Sequence, residues 1–255
     1  MSPFPFKQFL YPNGDLKKIV RQPLQNADAV IAVSPSLADC IQSFNLDRPI
    51  YIPNVVNEQF FIPSGRTDKH KNKYTFFTLG IPDLVAAIRL FLDKLPQIKG
   101  DKVEFVIGGS GEEAEKYQLL AEQAGVSRWI RWLGGISRDE VVYHMQHCDC
   151  FVLASYHETF GVVFAEAIAC GKPVIATRCG GPECIVNRNN GILVDVANPI
   201  ELAEALKKMY LTSQEYNSNI IREDFLKRFS RHAVVDQLEN VYSNVLNGRT
   251  ALCVE

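Results

Sequence analysis

No stretch of this sequence approaches the roughly 20 consecutive apolar residues that a membrane-spanning helix needs. The opening MSPFPFKQFL lacks the basic-then-apolar pattern of a secretory signal. Neither sign of charge prevails. The 27 Lys and Arg face 29 Asp and Glu, which gives no general pull toward nucleic acid or an acidic membrane face. The seven cysteines are an odd number in a chain too long to need stapling. A disulfide scaffold is therefore not expected, and a reducing cytoplasm is. Metal-ligand spacing is also scarce. No two aspartates stand two residues apart, and the five histidines form no His-x-x-x-His pair. His144 and His147 lack a Glu-x-x-His context and read as surface or strand-facing residues. Cys148-Asp149-Cys150 has no second ligand pair and leads straight into the apolar FVLAS, so buried free thiols are expected there.

What is present is 255 residues at 47% hydrophobic, enough for one to two globular domains. Short apolar runs alternate with helical patterns. The strand candidates are ADAVIAVS, PIYIPN, KYTFFTLG, KVEFVIGG, WIRWLGG, CDCFVLAS, KPVIAT and GILVDV. Several are apolar on consecutive positions, as strands covered on both faces are. Between them lie PDLVAAIRLFLDKL, EEAEKYQLLAEQAG, RDEVVYHMQ and PIELAEALKKMY, with helical spacing. Repeated strand–helix units predict an α/β fold with a doubly wound parallel sheet over about residues 74–210. The polar, turn-rich stretch 57–73 reads as a linker. Only two strand candidates precede it, too few to bury a sheet, so residues 1–56 read as the end of another domain. Two further helical patterns fill 211–255. The second, amphipathic through Ala233, Leu238, Val241 and Val245, is expected to cross toward the N-terminal part.

Two glycine-bearing segments invite chemistry. In VEFVIGGSGEEA, Gly109-x-Gly111-x-x-Ala114 follows a strand and opens a helix, as a dinucleotide fingerprint does. The next strand, WIRWLGG, ends without the acid that a ribose would need, and Glu112 and Glu113 occupy the first helical turn, where a phosphate would approach. A glycine turn bordering a ligand crevice, at Gly109 and Ser110, is the better reading. Ser110 is not a nucleophile elbow, because Glu112 stands where the closing glycine belongs.

The second segment, HETFGVVFAE, holds Glu158 and Glu166 eight positions apart across a glycine-hinged apolar run. It follows the strand CDCFVLAS, so Ser155 to Gly161 is a loop at a strand's carboxyl end, the ligand side of an open α/β sheet. Gly161 permits close backbone approach. The first N–H groups of the following helix, near Val162 and Val163, suit a phosphate. Glu166 sits among Val163, Phe164, Ala165, Ala167 and Ile168. An acid in so apolar a helix needs a partner, and a ligand is a natural one. Glu158 would hold one part of that ligand and Glu166 another, both facing the crevice.

SYHETFGVVFAEAIACGKPVIATRCGGPECI resembles the signature region of the retaining, GT-B-fold glycosyltransferases of family 4. Its Glu-x7-Glu element, the Phe160-Gly161 pair, the helix ending Ala169-Cys170-Gly171, the strand PVIAT and the Gly180-Gly181-Pro182 turn match in order. DAVIAVSPSLADCI and IPNVVNEQFF resemble the end of that family's first domain and its crossover, so the likeness covers roughly residues 26 to 246. The resemblance implies a Rossmann-like donor-binding domain at 74–210 and, at 1–56, the last fragment of an acceptor-side domain. It implies transfer of a sugar, with retention, from a nucleotide-diphosphate sugar (UDP or GDP) to a glycan or lipid-linked acceptor. It implies no metal and no other cofactor, in agreement with the missing Asp-x-Asp pair. Glu158 would contact the donor sugar beside the reacting centre. Glu166 would hold the nucleotide ribose, and the Gly161 and Val162 amides would hold the diphosphate. Gly80, Gly109, Ser110, Thr159 and Phe160 complete the expected donor site. No nucleic acid partner is implied. The expected place is the cytoplasm or its inner membrane surface, with any peripheral membrane contact made by the first domain.

Two departures qualify the likeness. Most of the acceptor domain's pattern is not found before residue 26, which keeps open a donor-binding module without turnover. A non-catalytic α/β interaction protein is a further alternative. The family also carries an Arg and a Lys between the glycine of FFTLG and the next helix, whereas here Gly80 is followed at once by Ile81-Pro82. So short a strand-to-helix loop is hard to close. Either a loop is omitted here or the two cations are absent; the expectation is omission, with a break between Gly80 and Ile81.

Overall fold

The computed structural model describes residues 7–64, 73–80, 83–95 and 102–248. The expected break at Gly80–Ile81 and the second half of the 57–73 linker lie outside them. Near the amino end, helix α1 (Lys18–Asn26), strand β1 (Ile31–Ala32), helix α2 (Pro35–Gln42) and strand β2 (Ile50–Tyr51) form a small unit in which β1 and β2 pair in parallel. The chain continues through β3 (Tyr74–Thr78), α3 (Leu84–Lys94), β4 (Val103–Gly108), α4 (Ala114–Gln123), β5 (Ile130–Gly134), α5 (Arg138–His147) and β6 (Cys150–Leu153). It ends through α6 (Val162–Ala169), β7 (Val174–Thr177), β8 (Gly191–Val194), α7 (Pro199–Leu211), α8 (Ser218–Phe229) and α9 (Arg231–Leu246).

Strands β3 to β8 form one sheet in the order β5-β4-β3-β6-β7-β8, and every pairing is parallel. Residues 75–78 of β3 and all four residues of β7 are buried. That is why these strands read as unbroken apolar runs rather than alternating ones. The fold class is thus the doubly wound parallel sheet expected from the sequence. The chain winds outward from β3 to β5, then returns to the sheet centre at β6. The order reverses between β3 and β6, where Phe76 pairs with Cys150 and Phe77 with Phe151. Such a reversal opens a crevice at the strands' carboxyl ends.

Helices cover both faces. On one face α3 and α7 bury Ile88, Phe91, Leu206 and Met209 around the stacked rings of Phe76 and Phe105, whose centroids lie 5.0 Å apart. On the other, α5, α6 and α8 bury Met145, Phe164, Ile168, Phe225 and Phe229. Burying each of these large side chains contributes roughly 1.5–3 kcal/mol. Phe61 belongs to this second core, so the first half of the polar linker packs on the sheet at that residue. Arg222 of α8 ties it down, donating to the carbonyls of Phe61 and Ala169 at 2.6 Å and of Glu58 at 2.7 Å.

Helix α9 runs back to the amino-terminal unit, as expected. Its stripe is set one residue later at the start than the sequence pattern suggests: Val234 and Val241, with Leu238 beside them, cover Ile52. The two chain crossings touch where the Val56 N–H donates to the Phe229 carbonyl at 3.1 Å. Two helices, α1 and α2, were not anticipated. Helix α1 buries no side chain and carries Pro23 inside it, a residue that ordinarily breaks a helical pattern. Helix α2 is announced by Ser34-Pro35, an N-cap followed by proline at the first helical position. Among the described residues, no helix is long and apolar enough to cross a membrane.

Candidate donor-binding site

The crevice rim is built from loops that leave the carboxyl ends of β3, β4, β5 and β6. After β3, the Thr78 hydroxyl donates to the Gly80 carbonyl at 2.8 Å and accepts from the Gly80 N–H at 3.2 Å. After β4, the Gly109 N–H donates to the Gly134 carbonyl at 2.7 Å, and Gly109 holds φ +129°. Glycine adopts that conformation without penalty. Ser110 is exposed against Gly135; a Cβ there would stand 3.1 Å from its hydroxyl oxygen. Across the reversal point, the Tyr156 hydroxyl donates to the Asp83 carboxylate at 3.4 Å, joining the loop after β6 to the start of α3. Asp83 itself sits at φ +58°, a conformation uncommon outside glycine.

The Ser155–Gly161 loop is fixed from below. The Thr177 hydroxyl donates to the Ser155 carbonyl at 2.5 Å, and the Ser155 hydroxyl donates to Glu158 Oε1 at 2.8 Å. Glu158 then makes a short parallel bridge to Gly180: its N–H donates to the Cys179 carbonyl, and its carbonyl accepts from the Gly181 N–H at 2.8 Å. The Gly180 N–H in turn donates to both Glu183 carboxylate oxygens at 3.0 Å. Thr159 is half-buried, with Ser34, Ser36 and Leu37 across a small gap. Phe160 is buried edge-on against Phe229 at 5.7 Å and anchors the loop as a core residue. Gly161 caps α6 at φ +85°, where a Cβ would meet the Phe164 ring at 2.7 Å. The α6 amides at Val162 and Val163 have no intrahelical acceptor, as at any helix start.

Glu166 lies one turn inside α6 and is fully buried. The Arg138 guanidinium donates to its Oε1, while Oε2 has no partner among the described residues. Burial raises its pKa above the ordinary carboxylate value, and Arg138 opposes the rise. The acid was expected to face the crevice; here Arg138 holds one oxygen, and the other is shielded from solvent without a partner among the described residues. Sequence reading missed Arg138. The signal was faint: Ser137 and Glu140 form a reciprocal capping box that starts α5 and sets Arg138 at the first helical position. Nothing in the spacing announces a partner 28 positions away in the chain.

The family described as Glycosyl transferases group 1 matches residues 60–224. The chain belongs to that family. A D-inositol 3-phosphate glycosyltransferase of Corynebacterium jeikeium is 41% identical over 133 residues, covering 50% of this chain and 31% of the relative. The enzyme of that description from Corynebacterium diphtheriae is 29% identical over 269 residues, covering 94% and 62%. The chain thus spans less than two thirds of the length of these relatives. Among solved structures, sucrose-phosphate synthase from Thermosynechococcus elongatus superposes with a TM-score of 0.77 at 22% identity, covering 95% of this chain and 65% of the other. Anabaena HepE in complex with UDP and glucose superposes with a TM-score of 0.72 at 20% identity, covering 89% and 66%. At these identities the likeness concerns the fold, which is the GT-B type.

In this group 1 chain the Gly180–Gly181 turn also faces the amino-terminal unit. Pro35, Ser36, Asp39, Cys40 and Ser43 of α2 and its flanks oppose Gly180, Glu183 and Cys184 across a cleft of about 500 Å³. Among the described residues, no three His, Cys, Asp or Glu side chains are grouped to hold a metal ion. The described cysteines are free thiols, and burial pushes Cys179 up to about 11, which suits packing rather than nucleophilic chemistry.

Proposed function

We propose that this chain is the donor-binding part of a retaining glycosyltransferase that moves a sugar from a nucleotide-diphosphate sugar to a glycan or lipid-linked acceptor, working in the cytoplasm. The observation that carries the reading is Glu166: a fully buried carboxylate with one unpartnered oxygen, one turn inside the helix that Gly161 caps at the sheet's reversal point. A buried acceptor without a partner is costly, and the hydroxyls of a ribose supply what it lacks. The free amides at the start of α6 then take the diphosphate. Glu158, set by Ser155 and the Gly180 bridge, lies beside the sugar and supports positive charge at the anomeric carbon as the bond to the diphosphate breaks. The helix N-terminus stabilises the departing negative charge. Gly80, Gly109 and Ser110 line the nucleotide side. Family membership supports the reaction class, and the Anabaena complex with UDP suggests uridine as the first base to try.

A second reading is donor binding without turnover. The family match at residues 60–224 carries the donor-side fold, and binding there does not by itself require turnover. In this reading the stretch 1–56 is only the end of an acceptor-side domain, 57–73 the linker, 74–210 the donor domain and 211–255 the closing helices. Calorimetric titration with UDP and GDP, paired with an assay for donor hydrolysis, separates the two. Binding with turnover supports the transferase, and binding alone supports the module. Absence of nucleotide binding by this chain and by a longer gene product overturns both.

A further inference from the structure

We infer that Arg138 is a positioning residue for the nucleotide: by occupying Oε1 of Glu166 from the rim of the crevice, it aims the carboxylate and leaves Oε2 as the acceptor for a ribose hydroxyl. This rests on the donor-site reading above and adds to it a residue from another helix.

Four observations converge. The ion pair joins a fully buried acid to a guanidinium that is itself 58% exposed. The cation is therefore delivered from the solvent side, at the start of α5. Arg138 also lies over the Phe61 ring, 4.8 Å from the guanidinium carbon, a contact that needs no ligand. The ring belongs to the buried core. The capping box between Ser137 and Glu140 pins the helix start that carries it. Finally, Arg138 satisfies only one of the two carboxylate oxygens. The desolvated second oxygen is costly unless a further donor reaches it, and a ligand hydroxyl is such a donor.

The other charged and titratable groups around Glu166 do not replace it. Arg222, from α8, is spent on the carbonyls of Glu58, Phe61 and Ala169. Cys170, at the end of α6, has a thiol that burial pushes up to about 12, so it stays neutral. Without Arg138, nothing opposes the effect of burial on the acid. The carboxyl would take up a proton at higher pH and present a donor where the hydroxyl needs an acceptor.

The test compares wild type, Arg138→Met and Arg138→Lys, each checked for folding by its melting curve. Titrations use UDP, GDP and inorganic pyrophosphate between about pH 8.5 and pH 6. A carbon-detected NMR titration of the Glu166 carboxyl needs no nucleotide. In Arg138→Met, nucleotide affinity should fall about tenfold as the pH is lowered, from a higher starting pH than in wild type, while pyrophosphate affinity stays level. The Glu166 titration should move upward in pH, and Arg138→Lys should restore most of both. A Glu166 titration unchanged in Arg138→Met overturns the proposal. So does an equal loss of nucleotide and pyrophosphate, which would mean that Arg138 binds the diphosphate or merely holds the loop. If wild type binds no nucleotide while the Glu166 titration moves as stated, the donor-site reading fails and the proposed role for Arg138 in nucleotide binding falls with it, but the ion pair's hold on the acid stands.

Discussion

Gly181→Ala should injure the donor site through sterics alone. The backbone at Gly181 has φ −78° and ψ −46°, open to any residue, so alanine brings no torsional penalty. Its Cβ, however, would stand 2.5 Å from the Phe160 backbone nitrogen and carbonyl carbon. Backbone atoms cannot swing aside as a side-chain tip can. Phe160 is buried against Phe229, so the loop is trapped between the new methyl and the core. Overpacking of this kind costs about 1–3 kcal/mol, or roughly 2–10 °C in melting temperature for a chain of this size. The bond from the Gly181 N–H to the Glu158 carbonyl is strained in the same movement, so nucleotide binding should weaken too. The control is Gly111→Ala, where a Cβ would meet nothing within 4 Å; it should melt with the wild type. Scanning calorimetry and UDP titration read both effects. A Gly181→Ala protein that melts within about 1 °C of wild type and binds normally would show that the loop is not held by this contact.

Further outcomes follow from the site and its supports. Glu166→Ala should weaken nucleotide binding by about 1.5–3 kcal/mol, the worth of a hydrogen bond to a charged group. Glu158→Ala should leave UDP or GDP binding nearly unchanged and slow transfer or hydrolysis of the sugar donor; calorimetry and rate assays exhibiting the reverse pattern would refute the assigned roles. The pKa of Glu166 is raised by burial, and a carboxyl of this kind contributes stability at acid pH that is lost as pH rises through its folded value. Glu166→Gln should therefore match wild type near about pH 4 and melt higher near about pH 8; melting below wild type at both pH values would contradict this. Arg222→Met strips three carbonyls of their donor and should destabilise by roughly 2–4 kcal/mol in denaturant titrations, with a loss under about 0.5 kcal/mol counting against the clamp.

The sheet was legible because its strands are covered on both faces, so KYTFFTLG, KVEFVIGG and KPVIAT stand out as apolar runs of strand length. The loop at Glu158 was legible because a strand's carboxyl end, a glycine and a helix start fall in that order. Helix α1 was not, since it buries nothing and contains Pro23. Nor was the state of Glu166. Its apolar neighbours signalled that a partner was needed, but a partner from α5 is a matter of tertiary packing, and sequence periodicity carries no trace of it. The one-residue shift at the start of the α9 stripe has a similar cause: Val234 reaches Ile52 where Ala233, with less surface to bury, does not.

The return of α9 to the amino-terminal unit sets an order of events during synthesis. Ile52 leaves the ribosome long before Val234 and Val241, its covering residues. At about 5–20 residues per second, that patch waits roughly ten to forty seconds for its lid. The six-stranded sheet can assemble in the interval, because its strands and their flanking helices emerge in sequence. The amino-terminal unit, made before the sheet, is completed after it.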